Sequence, residues 1–129
     1  MLALNILTAA RAAANKAYAP YSGFKVGAAV AFSGFPLLYP GANVENRSYG
    51  LTICAERAAI FSGVFSGGRL IERIAISCRD ANDIPRRSFF PCGACLQVIA
   101  EFSNAETLVL IDGVGEYRLS QLLPHQFEI

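Results

Sequence analysis

Ile53-Cys54-Ala55-Glu56-Arg57 and Pro91-Cys92-Gly93-Ala94-Cys95 are the two stretches around which this sequence is organised. Each opens a segment with the composition of a helix, and together they supply three thiols and one carboxylate. Three thiolates can bind zinc tetrahedrally and leave the fourth position to water, which distinguishes a catalytic zinc from a structural one. The two stretches therefore predict a zinc site made of the three cysteines, with Glu56 moving protons for the water.

The spacing within each stretch supports a shared site. Cys92 and Cys95 are three residues apart, so if Pro91 begins a helix their side chains lie on one face of its first turn. Cys54 and Glu56 would diverge in mid-helix. Because Cα–Cβ bonds tilt toward the helix N-terminus, however, first-turn side chains can converge above the helix end. Two helix N-termini directed at the site would also favour thiolate over thiol.

A Cys-x-x-Cys pair by itself has other interpretations, namely a redox pair, half of a four-cysteine structural zinc site, or two buried small side chains. A structural site would need Cys78, which ends the apolar run Ile74-Ala75-Ile76-Ser77-Cys78 and is predicted to be a core residue. A redox pair would leave Cys54 and Glu56 without a role. A zinc-stabilised interaction protein without activity is a further alternative, which Glu56 argues against because a structural zinc needs no such carboxylate.

Composition narrows the class of protein. At 129 residues the chain is predicted to form one domain, residues 1–129, and its formal net charge is +1. It contains two lysines and scattered arginines, and its one adjacent basic pair, Arg86-Arg87, is interpreted as part of a solvated loop. These features predict no nucleic-acid partner.

Hydropathy and cysteine content indicate the environment of the protein. Hydrophobic residues make up 53% of the chain, a share that predicts burial between subunits. Lys25, Pro36, Pro40 and the glycines interrupt every candidate membrane span, so no membrane association is predicted. The N-terminus lacks the pattern of a secretory signal, and reduced thiols are typical of a cytoplasmic protein, which is the expected location.

Hydrophobic periodicity and turn residues predict an α/β protein, with a sheet covered by helices on its faces. The predicted elements are, in chain order, a helix at Leu4–Tyr18, a strand at Val26–Phe32, a neighbouring strand in two pieces at Leu37–Tyr39 and Ala42–Val44 across a turn, a helix from Cys54 to Val64, a strand at Leu70–Cys78, a loop at Asp80–Pro85, a helix from Cys92 to Phe102, strands at Leu108–Ile111 and Glu116–Leu119, and a tail or short helix at Gln121–Ile129.

Further motifs surround the two cysteine stretches. They are Ala17-Tyr18-Ala19-Pro20-Tyr21-Ser22, Phe24-Lys25-Val26-Gly27-Ala28-Ala29, Asn43-Val44-Glu45-Asn46 and Leu122-Leu123-Pro124. With them, the sequence resembles the small, homotetrameric type of zinc-dependent cytidine deaminase over nearly its whole length. The resemblance implies a three-layer fold with a mixed five-stranded sheet and helices on both faces, and one zinc ion per subunit. It also implies hydrolytic deamination of cytidine and 2′-deoxycytidine in pyrimidine salvage.

The resemblance also implies roles for residues outside the metal site. Asn43 and Glu45 match a pair that hydrogen-bonds the ribose hydroxyls, and Phe24 matches an aromatic residue that packs on the pyrimidine. Tyr49 and Phe127 match residues that reach a neighbouring subunit's pocket, so the tetramer would share its active sites. Taken alone, the first pair would more often be turn residues, and the two phenylalanines would be ordinary core or interface residues.

The mechanism that the resemblance implies depends on Glu56 and Arg57. Zinc activates a water, and Glu56 accepts its proton and delivers it to N3 of the pyrimidine as C4 is attacked. A thiolate shell carries more negative charge than the metal neutralises, and Arg57 matches an arginine that hydrogen-bonds the ligand sulfurs. The alternative for Arg57 is a surface ion pair.

Two positions depart from the family pattern. Leu96 stands where the family usually has an arginine, so this chain would rely more heavily on Arg57 to neutralise the thiolates. Arg47 stands where a small residue is usual, and it would either face solvent or accommodate an acidic group near the 5′ side of the ribose.

Two other substrates are alternatives within the deaminases. One is a modified cytosine nucleoside, such as an antibiotic of the blasticidin type or a 5′-substituted cytidine, although the intact Asn43 and Glu45 favour ordinary nucleosides. The other is a polynucleotide, which the absence of a basic groove with interleaved aromatic residues argues against.

Overall fold

The structure, a computed structural model, describes residues 2–78, 85 and 89–129. The elements within these residues are α1 (Leu2–Ala14), β1 (Gly27–Phe32), β2 (Leu38–Ala42), a 3-10 helix (Tyr49–Leu51), α2 (Ala55–Phe65), β3 (Ile71–Ser77), α3 (Gly93–Glu101), β4 (Leu108–Ile111), β5 (Gly115–Arg118) and α4 (Leu119–Leu122). Apart from Pro85, the loop predicted at Asp80–Pro85 lies outside the described residues, as does Arg86-Arg87. None of the described helices is long and apolar enough to cross a bilayer.

The strands form one five-stranded sheet in the order β2-β1-β3-β4-β5. β3 and β4 run parallel, and the other neighbouring pairs are antiparallel. The sheet is therefore mixed, as predicted. The parallel pair places the carboxyl ends of β3 and β4 at the same edge of the sheet, where ligands tend to bind in α/β proteins.

The sheet separates two hydrophobic clusters. Ala28, Val30 and Phe32 of β1 pack with α2 and α3 on one face. Ala29 and Ala31 pack with α1 on the other face. Successive side chains of β1 point to opposite faces of the sheet, and both faces are covered. All of β1 is therefore buried, and its sequence is a continuous apolar run. Helices cover both faces, so the predicted three-layer arrangement is confirmed.

Two glycines allow the helices to lie against the sheet. A methyl group at Gly27 of β1 would overlap the α1 backbone at Ala10 and Ala14, and one at Gly41 of β2 would overlap the α2 backbone at Ala59. A helix backbone cannot move aside as a flexible side chain can. The close approach of both helices therefore requires glycine at these two positions.

The strand predicted beside β1 is confirmed, but its bounds differ. β2 is one strand that continues through Pro40, which lies opposite Ala29. The edge position of β2 explains this, because no neighbouring strand needs the N–H that proline lacks. Val44 lies beyond the end of β2 and instead forms isolated bridges with Tyr18 and Ile53.

Two other predicted boundaries also differ. α1 ends at Ala14 rather than Tyr18, because the Tyr18 N–H donates to Asn43 O and Tyr18 O accepts the Glu45 N–H, each at 2.9 Å. These bonds require an extended backbone at Tyr18. Leu119 belongs to α4 rather than to the preceding strand, and its side chain is fully buried.

We expect Gly27→Ala to lower the free energy of unfolding by at least about 2 kcal/mol, because the added methyl group forces α1 away from the sheet. Urea unfolding followed by circular dichroism measures the change. Gly50→Ala is the matched control, since a methyl group there meets no atom within 4 Å. It should change stability by less than about 0.5 kcal/mol. Equal stabilities for the two variants would contradict the close packing of α1.

Candidate active site

Cys54 and Cys92 occupy the N-cap positions of α2 and α3, one residue before each helix begins. α3 therefore starts at Gly93 rather than at Pro91. N-cap side chains usually accept a hydrogen bond from the first turn, but neither cysteine makes such a bond. Their sulfur atoms stay available at the positive ends of the two helix dipoles. Cys95 follows in the first turn of α3 and is buried.

The two helices bring the three predicted thiols together. The Sγ atoms of Cys54, Cys92 and Cys95 lie within 4.8 Å of one another. Zinc with Zn–S bonds of about 2.3 Å in a tetrahedron separates its sulfur ligands by about 3.8 Å, so a small contraction would suit the metal. Sulfur ligands also favour zinc over hard cations such as Mg²⁺. This group of thiols fits a zinc ion.

Arg57 stabilises negative charge on the sulfur atoms. Its Nη2 donates to Cys54 Sγ at 3.5 Å, and this hydrogen bond raises the pKa of Arg57 above its ordinary value. A hydrogen bond from Cys95 and the interaction with Arg57 lower the pKa of Cys54 to about 5, although burial opposes this. The hydrogen bond to Cys54 and burial raise the pKa of Cys95. Arg57 is thus bonded to a sulfur, as the resemblance implied.

Glu56 is the second residue of α2, and its side chain is only 5% exposed. Burial is the main cause that raises its pKa to about 7, and the negative charge of Cys54 adds to the effect. A carboxyl group with a pKa near neutrality can both accept and return a proton at neutral pH. Glu56 lines the same cavity as Cys54 and Cys92, so a group bound there could exchange a proton with it.

A cavity of about 200 Å³ opens onto this group. Cys54, Glu56 and Cys92 line it, together with Phe24 and Asn43. The remaining lining residues are Val26, Thr52, Ala55, Ile76, Cys78, Phe89 and Phe90. Since Ile76 and Cys78 lie at the carboxyl end of β3, the cavity is at the sheet edge where a ligand site was expected.

Asn43 braces the wall of this cavity. Its side chain is 8% exposed, its Oδ1 accepts the Val26 N–H at 2.9 Å, and its Nδ2 donates to Phe24 O at 2.8 Å. The Oδ1 atom can accept one further hydrogen bond, and the Nδ2 group can donate one more. Asn43 is therefore more than a turn residue, since it fixes the backbone of Phe24.

Glu45 lines a neighbouring depression of about 330 Å³, with Tyr21, Ser22, Tyr49 and Thr52. Thr52 also lines the first cavity, so the two spaces adjoin. The hydrogen bond from the Ser22 hydroxyl is the main cause that lowers the pKa of Glu45. The structure thus brings Phe24 and Asn43 to the thiol cavity and places Glu45 and Tyr49 beside it.

Phe127 does not line either space in the described structure. It is 73% exposed in the C-terminal segment, and Tyr49 is 74% exposed. Arg47 is also exposed. Leu96 packs partly buried against the hydrophobic core.

Sequence reasoning missed several cavity residues. Phe89 and Phe90 directly precede Pro91-Cys92, and that adjacency could have identified them. Thr52 carried no comparable signal. Cys78 packs against the core as predicted, yet it also lines the cavity. Burial is the main cause that raises the pKa of Cys78 to about 12, which keeps it a neutral thiol.

A mixed α/β sheet carrying three thiols, a buried carboxylate and an adjoining cavity is the arrangement of a zinc-dependent hydrolase. The model of the cytidine and deoxycytidylate deaminase zinc-binding region matches residues 3–111. The chain belongs to this family of zinc enzymes.

Individual relatives agree with this assignment. The chain is 43% identical over 115 residues to the cytidine deaminase of Halalkalibacterium halodurans, covering 86% of this chain and 83% of the relative. The crystal structure of cytidine deaminase from Mycobacterium tuberculosis superposes with a TM-score of 0.86 at 35% identity, covering 100% of this chain and 99% of that one. The cytidine deaminase structure from Burkholderia pseudomallei gives 0.83 at 41% identity, covering 98% and 100%.

We expect Arg57→Met to lower zinc affinity by about tenfold or more, because it removes the donor that stabilises the Cys54 thiolate. Competition with a chromophoric chelator measures the affinity. Arg47→Met is the matched control, since it removes the same charge from an exposed position, and it should leave zinc affinity unchanged. An equal loss in both variants would assign the effect to net charge rather than to the contact with Cys54.

Proposed function

We propose that this protein catalyses the hydrolytic deamination of cytidine and 2′-deoxycytidine, releasing ammonia and the corresponding uridine nucleosides, as one domain spanning residues 1–129. The observation that carries the proposal is a cavity lined by the buried Glu56 and by Cys54 and Cys92, two of the three clustered thiols. The similarity to named cytidine deaminases supports the choice of nucleoside.

Cys54, Cys92 and Cys95 are the zinc ligands in this proposal. Their convergence within 4.8 Å and the lowered pKa of Cys54 support the assignment. When bound, zinc supplies the Lewis acidity that activates water for hydrolysis. Arg57 offsets the negative charge of the sulfur atoms from the protein side.

Glu56 moves the protons of the reaction. Its carboxylate takes a proton from the attacking water and returns it to N3 of the pyrimidine while C4 becomes tetrahedral. Glu56 then takes the proton of the new C4 hydroxyl group and passes it to the exocyclic amino group, so that the C4–N bond breaks, ammonia leaves and the C4 carbonyl of the uridine forms. Because Glu56 is buried and its pKa is raised to about 7, neither the charged nor the neutral form is strongly disfavoured.

In this proposal the base and the ribose of the nucleoside bind in the two adjoining spaces. The base occupies the thiol cavity, where Phe24 packs on the pyrimidine, and the ribose extends past Thr52 into the depression that contains Glu45. Asn43 and Glu45 bind the sugar hydroxyls. The aromatic and aliphatic residues that line the thiol cavity, and the hydroxyl and carboxylate groups that line the depression, support this orientation.

We infer that the protein is a homotetramer with shared active sites. Phe61 and Phe65 on α2 are 49% and 93% exposed, and an apolar surface of this kind is typical of a subunit interface. Tyr49 and Phe127, which are exposed in a single chain, would complete a neighbouring subunit's pocket.

The physiological setting completes the proposal. All four cysteines are free thiols, and a thiolate metal site is maintained in a reducing compartment, which favours the cytoplasm. There the reaction would serve pyrimidine salvage. Modified cytosine nucleosides are not favoured as substrates, because the relatives named above are cytidine deaminases.

The experiment that tests the function follows the loss of cytidine absorbance with purified, zinc-loaded protein. We expect Glu56→Gln to lower kcat by at least about 1,000-fold, because glutamine can neither accept nor return the proton. Zinc content, measured by atomic absorption, should stay at one ion per subunit. Comparing 2′-deoxycytidine in the same assay tests the second substrate. Full activity of the Glu56→Gln variant would overturn the mechanism, and an inactive wild-type protein would overturn the function.

Subunit mixing tests the shared sites. We expect Phe127→Ala to raise KM for cytidine, because the neighbouring pocket loses an apolar wall. The Phe127→Ala and Glu56→Gln variants are then unfolded and refolded together. Activity should be restored, because a Phe127→Ala subunit, which has an intact Glu56, receives Phe127 from a neighbouring Glu56→Gln subunit. Light scattering checks the tetramer. Refolded mixtures that are no more active than the two variants refolded separately would contradict the shared site.

A further inference from the structure

Ser22 lies between two residues that the proposed function assigns to the substrate. Its hydroxyl donates to Oε2 of Glu45, and its Oγ accepts the backbone N–H of Phe24 at 3.0 Å. One hydroxyl group therefore joins the carboxylate in the sugar depression to the residue that carries the base-contacting ring.

The direction of these hydrogen bonds is determined by the donors. The Phe24 N–H can only donate, so it occupies a lone pair of Ser22 Oγ and leaves the hydroxyl proton for Glu45. Two backbone N–H groups, of Tyr21 at 3.0 Å and of Ser22 at 3.2 Å, donate to Oε1 of the same carboxylate. All three partners of Glu45 are donors, and they match an ionised carboxylate.

An ionised carboxylate held in this way selects hydrogen-bond donors. Oε1 of Glu45 already accepts two hydrogen bonds, whereas Oε2 accepts one and retains a further acceptor position, which a hydroxyl group of a sugar can use. The adjoining depression is open enough to admit such a group. Loss of the Ser22 hydroxyl would remove the donor that holds Oε2, so that Oε2 could turn away while Oε1 stays bound to the two backbone N–H groups.

We propose that Ser22 is a positioning residue that fixes the Glu45 carboxylate for the sugar hydroxyls and ties it to the Phe24 backbone. The inference rests on the proposed function and deepens it, since it makes recognition of sugar hydroxyls by Glu45 depend on the hydroxyl group of Ser22.

A purely structural role for Ser22 makes a different prediction. Ser22 and Gly23 form a tight turn, in which Gly23 has φ +71° and its N–H donates to Ala19 O at 3.0 Å. If Ser22 served only this turn, its removal would affect every substrate alike. If it positions Glu45, its removal affects substrates that carry sugar hydroxyls.

The test compares cytidine with 2′,3′-dideoxycytidine, which lacks the 2′ and 3′ hydroxyl groups, on the zinc-loaded enzyme. We expect Ser22→Ala to raise KM for cytidine by about tenfold with kcat changed by less than about twofold, because a hydrogen bond to a charged group is lost. KM for the dideoxynucleoside should change by less than about twofold. The preference of kcat/KM for cytidine therefore falls by about tenfold.

A pair of variants of equal size isolates the hydroxyl. Ser22→Thr retains the hydroxyl and should retain the preference for cytidine, whereas Ser22→Val should lose it. This pair keeps the test decisive if Ser22→Ala does not fold, and zinc content with thermal unfolding checks each protein.

Equal KM increases for both nucleosides, or the same preference in the threonine and valine variants, would overturn the role of Ser22. If wild-type protein deaminates neither nucleoside, the proposed function itself fails, and that outcome is distinct from an active enzyme that is indifferent to Ser22.

Discussion

The convergence of two helix N-termini on one point is the constraint on which the site depends. Cys54 and Cys92 are N-caps, so their sulfur atoms lie where the dipoles of α2 and α3 favour negative charge. Both helices pack on the same face of the sheet and contact each other. The positions of the two helix N-termini, and with them the distances between the sulfur atoms, are therefore set by core packing.

The same arrangement gives neighbouring residues opposite acid–base properties. A hydrogen bond from Cys95 and the proximity of Arg57 lower the pKa of Cys54, whereas burial raises that of Glu56, two residues further along α2. Cys54 is thus kept as a thiolate, and Glu56 is kept near its midpoint at neutral pH. Leu96 packs against the core and adds no charge, which leaves Arg57 as the cation bonded to a thiol in the described site.

The spacing of the cysteines was sufficient to predict a group of three thiols that could hold a metal ion, and the order of helices and strands was sufficient to predict the covered sheet. The continuity of β2 through Pro40 was not predicted, since the effect of a proline depends on whether its strand lies at an edge, which only the topology decides. Thr52 reaches the cavity through the bridge between Val44 and Ile53, a contact with no local signature. The bracing role of Asn43 likewise arises from long-range contacts.

Pro40 also affects how copies of the chain can meet. It interrupts the row of N–H groups along the free edge of β2, so a second copy cannot extend the sheet there by regular strand pairing. A proline on this outer strand thereby protects one edge of the sheet from open-ended strand pairing, the kind of association that leads to fibrils.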